Sequence, residues 1–192
     1  MTIALIQKHI NEHEVVIKKI SAHQKELILK ISDMIASTLD NKGTVFWMGN
    51  GGSSSDSMHI SAELIGRFNK NRRPLSSIAL STDSAAFTCI SNDYGFEHIF
   101  SRQIEALGRE NDCVVGISTS GMSTNIMNGV NSAKRKGIKT IALLGKGGGS
   151  IKEICDLSVV VDSNSTARIQ EVHITIGHIL CDLIEKKLKL NS

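Results

Sequence analysis

Residues 43–55 read GTVFWMGNGGSSS, and residues 112–123 read DCVVGISTSGMS. Each stretch is an apolar run that ends in a turn of glycines and hydroxyl side chains. A continuous apolar run of this length is typical of a strand that is buried on both faces of a parallel sheet. In such sheets ligands bind beyond the carboxyl ends of the strands. Both turns are therefore candidate parts of a binding site.

Three further apolar runs alternate with amphipathic segments along the chain. The five predicted strands are 43–48, 75–80, 112–117, 138–144 and 156–161. The predicted helices between and after them are 53–68, 84–107 in two pieces, 123–136, 147–154 and 166–189. This alternation predicts an α/β fold, a five-stranded parallel sheet flanked by helices on both faces.

The N-terminal segment has a different pattern. Across residues 2–40, isoleucines and leucines recur mostly at intervals of three, four or seven, which predicts helix with a break near Ser21. We therefore expect an N-terminal helical arm over 1–40 and an α/β core over 41–192 that ends in a long helix. Because no linker or internal repeat divides the chain, 1–192 is expected to be a single domain.

Composition excludes several classes of protein. Hydrophobic residues make up 41% and charged residues 21% of the 192, as in ordinary globular proteins. No apolar run reaches roughly 18 residues, and the first residues lack the features of a signal peptide, so we expect a cytoplasmic protein without a membrane partner. The net charge of +3 is dispersed and aromatic residues are few, so a nucleic-acid partner is not expected.

The cysteines are far apart and never form a C-x-x-C pair. Their apolar neighbours suggest reduced, buried side chains rather than catalytic or metal-binding ones. They are Cys89, Cys113, Cys155 and Cys181.

The two turns suit a phosphate group. Glycines at 49, 51 and 52 let the backbone approach a ligand, and the start of the following helix offers free N–H groups to an anion. The second turn adds the hydroxyls of Ser118, Thr119, Ser120 and Ser123. Neither turn matches a dinucleotide or P-loop fingerprint, which disfavours a nucleotide. The alternative is that both are simply tight turns with helix caps.

Two helices carry ionisable side chains. His59 and Glu63 are four residues apart and share a helix face, so they could bind a divalent metal or pair a general base with the group that orients it. An exposed salt bridge is the alternative. In the last helix, spacing alone would pair Glu171 with His178, while His173 could be a buried core histidine. The pattern does not choose among these readings.

Four segments together resemble a known family. MGNGGSSSDSMHISAELIGRF (48–68), SNDYGF (91–96), GISTSGMSTNI (116–126) and RIQEVHITIGHI (168–179) resemble the sedoheptulose 7-phosphate isomerases, or phosphoheptose isomerases. These enzymes belong to the sugar isomerase, or SIS, domain superfamily. The resemblance covers nearly the whole chain and implies a flavodoxin-like three-layer sandwich.

The resemblance also implies an activity. Sedoheptulose 7-phosphate would be isomerised to glycero-manno-heptose 7-phosphate, the first step toward the heptose of lipopolysaccharide or capsule. By position, Glu63 and His178 match the family's acid/base pair. The implied substrate-binding residues are Asn50, Gly51, Gly52, Glu63, Asn92, Asp93, Ser118, Thr119, Ser120, Ser123 and Gln170, and we expect Ser53 to be an additional donor in the first turn.

The resemblance further implies one zinc ion per subunit, held by His59, Glu63, Gln170 and His178. It thus selects Gln170 where spacing suggested Glu171. Gln170 and His178 are separated by eight residues, about 12 Å along a helix axis, which is a long reach to one metal. We therefore expect the site to lie at a subunit interface, in agreement with the homotetramers usual in the family.

Two alternatives remain open from the sequence. Related SIS proteins act as non-catalytic scaffolds that associate with the replication initiator, but they lack the Glu and His that this chain carries at 63 and 178. A second alternative keeps the isomerase and changes the sugar phosphate, because nothing in the turns measures the length of the sugar.

Overall fold

The computed structural model describes residues 2–189, so the outermost ends of the predicted 1–192 domain lie outside it. Five parallel strands form one sheet in the order β2-β1-β3-β4-β5. The strands are β1 (Val45–Gly49), β2 (Ser77–Ala79), β3 (Cys113–Ser118), β4 (Lys139–Gly145) and β5 (Leu157–Val161). The predicted strands are confirmed, although β2, at one edge of the sheet, is shorter than 75–80.

Helices precede the sheet and alternate with its strands. They are α1 (Ile3–Lys18), α2 (Ala22–Asp40), α3 (Gly52–Ile65), α4 (Ser84–Tyr94), α5 (Ser101–Leu107), α6 (Thr124–Arg135), α7 (Gly149–Ile154) and α8 (Thr166–Lys187). A short 3₁₀ helix, Phe96–His98, lies between α4 and α5, so the predicted division of 84–107 into two helical pieces is confirmed.

The break in the N-terminal arm has a local cause. The Ser21 hydroxyl accepts a hydrogen bond from the Gln24 backbone N–H, and the Gln24 side chain accepts one from the Ser21 N–H. This reciprocal capping box satisfies donors that a helix start would otherwise leave free. It begins α2 and ends the continuous helical pattern at the predicted residue.

Side chains alternate between the two faces of the sheet. In β1, Val45 and Trp47 join a cluster formed with α2, α3 and α8, whereas Phe46 and Met48 join a second cluster formed with α5 and α6. This period of two is the signature of a strand, and burial on both sides explains why the run is apolar throughout. The result is the predicted α/β arrangement of helix, sheet and helix layers.

The strand order places the two turns side by side. The strand order reverses at β1, which pairs with β2 on one side and with β3 on the other. Gly49 at the end of β1 is in register with Ile117 near the end of β3. The crevice at such a switch point is where ligands bind in open α/β sheets.

Two further predictions concern buried side chains and membranes. Cys113 and Cys181 are buried as expected and Cys155 is partly buried, but Cys89 is exposed. The prediction for Cys89 was wrong because α4 has no buried residue. Within residues 2–189, no helix combines the length and apolar character needed to cross a bilayer.

His173 is a buried histidine of the core rather than a site residue. Its side chain is 1% exposed, and its Nε2–H donates to the carbonyl oxygen of Leu144 at 3.0 Å. Burial lowers the pKa of His173 from 6.5 to about 4, and the hydrogen bond to Leu144 opposes this only in part. The ring is therefore neutral in the folded protein and becomes protonated more readily on unfolding.

This difference predicts acid sensitivity. A histidine whose folded pKa lies below its unfolded value stabilises the fold above about pH 6.5, and this contribution is lost as the pH falls toward 4. Between pH 7 and 4.5, urea unfolding should show that His173 accounts for roughly 2–3 kcal/mol of the loss in unfolding free energy. His173→Gln, which does not titrate, should lose that much less. The exposed His98→Gln should behave as wild type, and an equal acid response in all three proteins would contradict the assignment.

Candidate active site

Helices α3 and α8 pack side by side and run in the same direction. Gly52 lies against Gln170 at the first turns, and Ile60 lies against Gly177 two turns later. A Cβ added at Gly52 would lie 2.6 Å from Nε2 of Gln170, and one added at Gly177 would lie 2.5 Å from Cδ1 of Ile60. The two glycines thus allow the helices to approach closely.

This packing brings three predicted site residues together. Nε2 of His59 lies 3.3 Å from Oε1 of Glu63 and 3.3 Å from Nε2 of His178. His59 and Glu63 remain open to solvent, with side-chain exposures of 48% and 27%. The i, i+4 pair on α3 is confirmed as a contact, and α8 supplies the third group.

The three side chains form a donor set that suits a metal ion. One ligand atom from each of His59, Glu63 and His178 lies within 4.8 Å of the other two. Two imidazole nitrogens and one carboxylate oxygen are ligands that Zn²⁺ takes in proteins, most often with a fourth ligand in a tetrahedral arrangement. The residues present therefore fit zinc as three of its ligands.

Gln170 lies elsewhere within the same chain. Its amide rests over Gly52, and the helical rise separates it from His178 by about 12 Å. Among the described residues, the structure thus groups three of the four predicted metal ligands and places the fourth at the first glycine turn.

Glu171 belongs to a different surface, so the pairing with His178 suggested by spacing is wrong. Its carboxylate lies 2.8 Å from Nδ1 of His13 on α1 and 2.7 Å from Nη2 of Arg168. A separation of seven residues puts two side chains on nearly the same face but about 10 Å apart along the axis. They therefore meet different neighbours.

The first turn has the geometry that its glycines allow. Gly51 has φ of +55°, a left-handed conformation that suits glycine, and α3 begins at the next residue. The Asn50 and Asn125 side chains exchange two amide hydrogen bonds of 2.9 and 2.8 Å. This pair ties the first turn to the start of α6. Asn125 was missed in the sequence, although it lies within the quoted segment 116–126.

The second turn is organised around Ser118. This residue is 3% exposed, and its hydroxyl lies 3.0 Å from that of Ser123 and 3.5 Å from that of Ser120. The Gly121 N–H donates to Oγ of Ser118 at 3.1 Å. The hydroxyls therefore converge at the start of α6, where helix N–H groups favour an anion.

A cleft of about 500 Å³ opens beside these turns. It is lined by Asn50, Phe96, Glu97, Ser123, Thr124 and Asn125. Ser53, by contrast, is 3% exposed, because it lies in the first turn of α3 beneath the surface. The cleft joins residues of both turns, as their positions at the switch point require.

Asn92 and Asp93 lie on the exposed helix α4. The Asn92 amide donates to Oδ1 of Asp93 at 2.7 Å, and the Cys89 thiol lies 3.5 Å from Oδ2 of Asp93. Within the part of the chain that the structure describes, none of their hydrogen bonds reaches either turn. The fold of one chain thus leaves these two predicted substrate residues apart from the two turns.

Asp56 is a neighbour that sequence reasoning missed. It lies one turn before His59 on the same face of α3, and the signal was the i, i+3 spacing. Its Oδ2 is shielded from solvent without a hydrogen-bond partner among the described residues. Burial raises the pKa of Asp56 to about 6, and the nearby His59 opposes the shift.

Comparison with known proteins identifies the family of the chain. The sequence model of the SIS domain family matches residues 8–145. A phosphoheptose isomerase from Nitratiruptor is 49% identical over 94% of this chain and 97% of its own length. One from Helicobacter pylori is 46% identical, with 95% of each chain covered.

Solved structures of phosphoheptose isomerases also resemble this chain. A phosphoheptose isomerase from Neisseria gonorrhoeae matches with a TM-score of 0.90 and 38% identity, covering 95% of this chain and 98% of its own. One from Francisella tularensis matches with a TM-score of 0.89 and 35% identity over 97% and 100%. The chain belongs to the SIS domain family and, within it, to the phosphoheptose isomerases.

The side-chain cluster predicts a zinc site at His59, Glu63 and His178. His59→Ala should weaken zinc binding by at least tenfold, because losing a ligand costs no less than losing a residue that merely orients one. The measurement is a competition titration of purified protein with a chromophoric chelator, which does not depend on activity. Glu171→Gln, also on α8 but facing α1, should bind zinc as wild type does. Unchanged affinity in His59→Ala would place the metal elsewhere.

Proposed function

We propose that this protein is an isomerase that converts sedoheptulose 7-phosphate to glycero-manno-heptose 7-phosphate through an enediol. The observation that carries the proposal is that the carboxylate of Glu63, on the helix that begins at the first glycine turn, converges with the ring of His178 on α8. The near-complete alignment with phosphoheptose isomerases supports the choice of substrate. The product would supply heptose for lipopolysaccharide or capsule.

The reaction needs a base that acts at carbon. A proton leaves C1 of the ketose, the C1–C2 enediol forms, and a proton returns to C2 to give the aldose. We assign the transfer between carbons to Glu63 and the proton transfers at oxygen to His178. The two side chains approach the same point from different helices, as such a division of work requires.

The other end of the substrate needs an anchor. The hydroxyls around Ser118 and the N–H groups at the start of α6 would hold the phosphate, and Asn50 and the glycines of the first turn would bind nearby sugar hydroxyls. His59 lies about 10 Å along α3 from Gly52. Binding energy from the phosphate would thereby orient the distant reacting carbons.

We include zinc in the proposal because the clustered side chains are suitable ligands for it. His59, Glu63 and His178 would hold one ion per subunit, and Gln170 would supply a fourth ligand. Bound there, zinc would polarise an oxygen of the substrate. A carboxylate that ligates a cation loses basicity, so Glu63 serves best as the base when its metal contact is weak or absent.

We further propose that the complete site lies between subunits of a cytoplasmic homotetramer. Gln170 and His178 of one chain are too far apart to reach one ion easily, so Gln170 would come from a neighbour. Helix α4, which carries Asn92 and Asp93, has no buried residue in the single chain. Helix α1 exposes Ile3, Ile6 and Ile10 to 84%, 62% and 47%, which is apolar surface suited to a second copy.

A shared site predicts complementation between two inactive variants. Glu63→Gln and Gln170→Ala should each have little activity alone. When both chains are unfolded together and refolded, mixed assemblies should regain activity, because some sites would combine an intact Glu63 with an intact Gln170. Each variant refolded alone is the control. Failure to recover any activity, with mixed assemblies present by native mass spectrometry, would contradict the sharing of this site.

The two alternative functions have less support from the residues of the site. A scaffold for the replication initiator has no need of a carboxylate and an imidazole held close together. This chain keeps both Glu63 and His178 and brings them close. A different sugar phosphate remains the nearer competitor. Incubation with pentose, hexose and heptose ketose phosphates and analysis of the products separates these cases.

The central test is NMR of the enzyme with sedoheptulose 7-phosphate in deuterated water. An aldoheptose phosphate with deuterium at C2 should appear, because the enediol is protonated from exchangeable positions. Glu63→Gln should abolish this reaction by removing the base while keeping its shape, and substrate binding should be largely retained. Normal turnover by Glu63→Gln would remove Glu63 as the base.

The same experiment with a chelator decides the role of the metal. Loss of turnover in the chelated protein, with recovery on adding zinc, would make the ion catalytic. Unchanged turnover would leave it a structural role. If wild-type protein leaves the heptulose phosphate unchanged in both conditions, the proposed activity is wrong.

A further inference from the structure

We propose that Phe68 is a positioning residue for His178, and that the buried Arg72–Glu185 ion pair holds Phe68 in place. The proposal deepens the proposed function, because His178 is the group assigned there to proton transfer at oxygen. Phe68 itself is not placed in the binding or catalytic machinery.

The first observation is a ring stack. The Phe68 and His178 rings are 5.6 Å apart between centroids with an interplanar angle of 21°. His59 meets the same imidazole edge-on, at 5.0 Å and 70°. His178 is thus covered on a face by Phe68 and contacted at 3.3 Å through Nε2 by His59. Stacking of this kind favours one ring plane and directs Nε2 toward the side-chain cluster.

The second observation explains why Phe68 is fixed although it lies in a loop. Glu185 on α8 accepts backbone hydrogen bonds from Phe68, Asn69 and Lys70 at 3.0, 3.1 and 3.2 Å. One carboxylate therefore sets the path of three consecutive loop residues. His178 is itself a residue of α8, and the backbone of Phe68 is hydrogen-bonded to α8 through Glu185. Both rings are therefore held by the same helix.

The third observation links the loop to Glu63. Nε of Arg72 donates to Glu185 at 2.8 Å, and its two other nitrogens donate to the carbonyl oxygens of Leu64 and Glu63, each at 2.8 Å. These carbonyls belong to the last turn of α3, where helix oxygens lack partners and a cation is favourable. One guanidinium therefore connects the backbone of Glu63 with the support of Phe68.

The ion pair is removed from water. The side chains of Arg72 and Glu185 are 1% and 2% exposed. Burial would raise the pKa of Glu185, but hydrogen bonds from Phe68, Asn69 and Arg72 outweigh it and hold the pKa below its usual value. Buried ion pairs are weak sources of stability compared with apolar packing. Here the pair provides fixed geometry at both assigned catalytic groups.

The test is a pair of substitutions at one position. Phe68→Leu keeps an apolar side chain and removes the flat ring, whereas Phe68→Tyr keeps the ring. We expect Phe68→Leu to lower kcat by roughly tenfold or more with KM nearly unchanged, since displacement of a reacting group by about 1 Å can cost about a hundredfold. Phe68→Tyr should retain most of kcat. Phe46→Leu, in the core on the other face of the sheet, controls for a general loss of stability and should keep wild-type kcat.

A spectroscopic readout does not depend on turnover. In aromatic ¹H–¹³C spectra, the His178 ring protons should be shifted by the Phe68 ring current in wild type and Phe68→Tyr, and should lose that shift in Phe68→Leu. If wild type fails to isomerise the heptulose phosphate but this shift is present, the proposed function fails and the ring stack stands. Absence of the shift in active wild type would overturn the positioning role.

The kinetic outcomes are equally decisive. Wild-type kcat in Phe68→Leu, or an equal loss in Phe68→Leu and Phe46→Leu, would overturn the proposal. Should Phe68→Leu fold poorly, Arg72→Lys decides the question: lysine keeps the charge but lacks the planar fork that reaches several partners at once. It should also lower kcat with KM nearly unchanged and reduce the His178 shift, and wild-type values in both measurements would overturn the proposal.

Discussion

The close parallel contact between α3 and α8 is the constraint on which the site depends. Both helices follow strands of one parallel sheet, so they point the same way, and the missing side chains at Gly52 and Gly177 help them to lie this near. A larger residue at Gly177 would press on Ile60, and one at Gly52 would displace the Gln170 amide. With the helices at this distance, the His178 side chain on α8 lies close to both His59 and Glu63 on α3.

The same sheet determines where the substrate would lie. The reversal of strand order at β1 puts the glycine turn and the serine turn next to each other, and the Asn50–Asn125 pair joins them. The side-chain cluster lies two helical turns farther along α3. A long sugar phosphate suits this layout, because its phosphate and its carbonyl end are the parts farthest apart. Under the proposed roles, binding and chemistry would be separated along one helix.

Much of this could be predicted from sequence, because it depends on local patterns. Buried parallel strands are apolar throughout, so the five runs identified the sheet, and Ser21 marked the helix break through its capping box. The i, i+4 spacing of His59 and Glu63 is a property of one helix and was sufficient to predict their contact. Family resemblance then selected His178 among the polar residues of α8.

Contacts between distant segments could not be predicted in this way. Spacing gives the face of a helix but not the neighbour of that face, which is why Glu171 seemed to be a partner of His178 and instead meets His13. Asn125 and Phe68 were missed for the same reason, whereas Asp56, on the same helix as His59, had a local signal in its i, i+3 spacing. Cys89 was assigned to the core because its neighbours are apolar, although α4 buries none of its residues in the single chain.

The site therefore combines two kinds of support. His59, Glu63 and His178 lie on helices that are packed against the core and joined near their C-terminal ends by the Arg72–Glu185 pair. The proposed chemistry would need such rigid support, because small displacements of reacting groups are costly. Asn92 and Asp93 lie on α4, which the single chain leaves exposed. If a neighbouring subunit covers α4, assembly would order the substrate-binding side, while the fold of each chain already brings His59, Glu63 and His178 together. Dissociation would then weaken substrate binding before it disturbed the side-chain cluster.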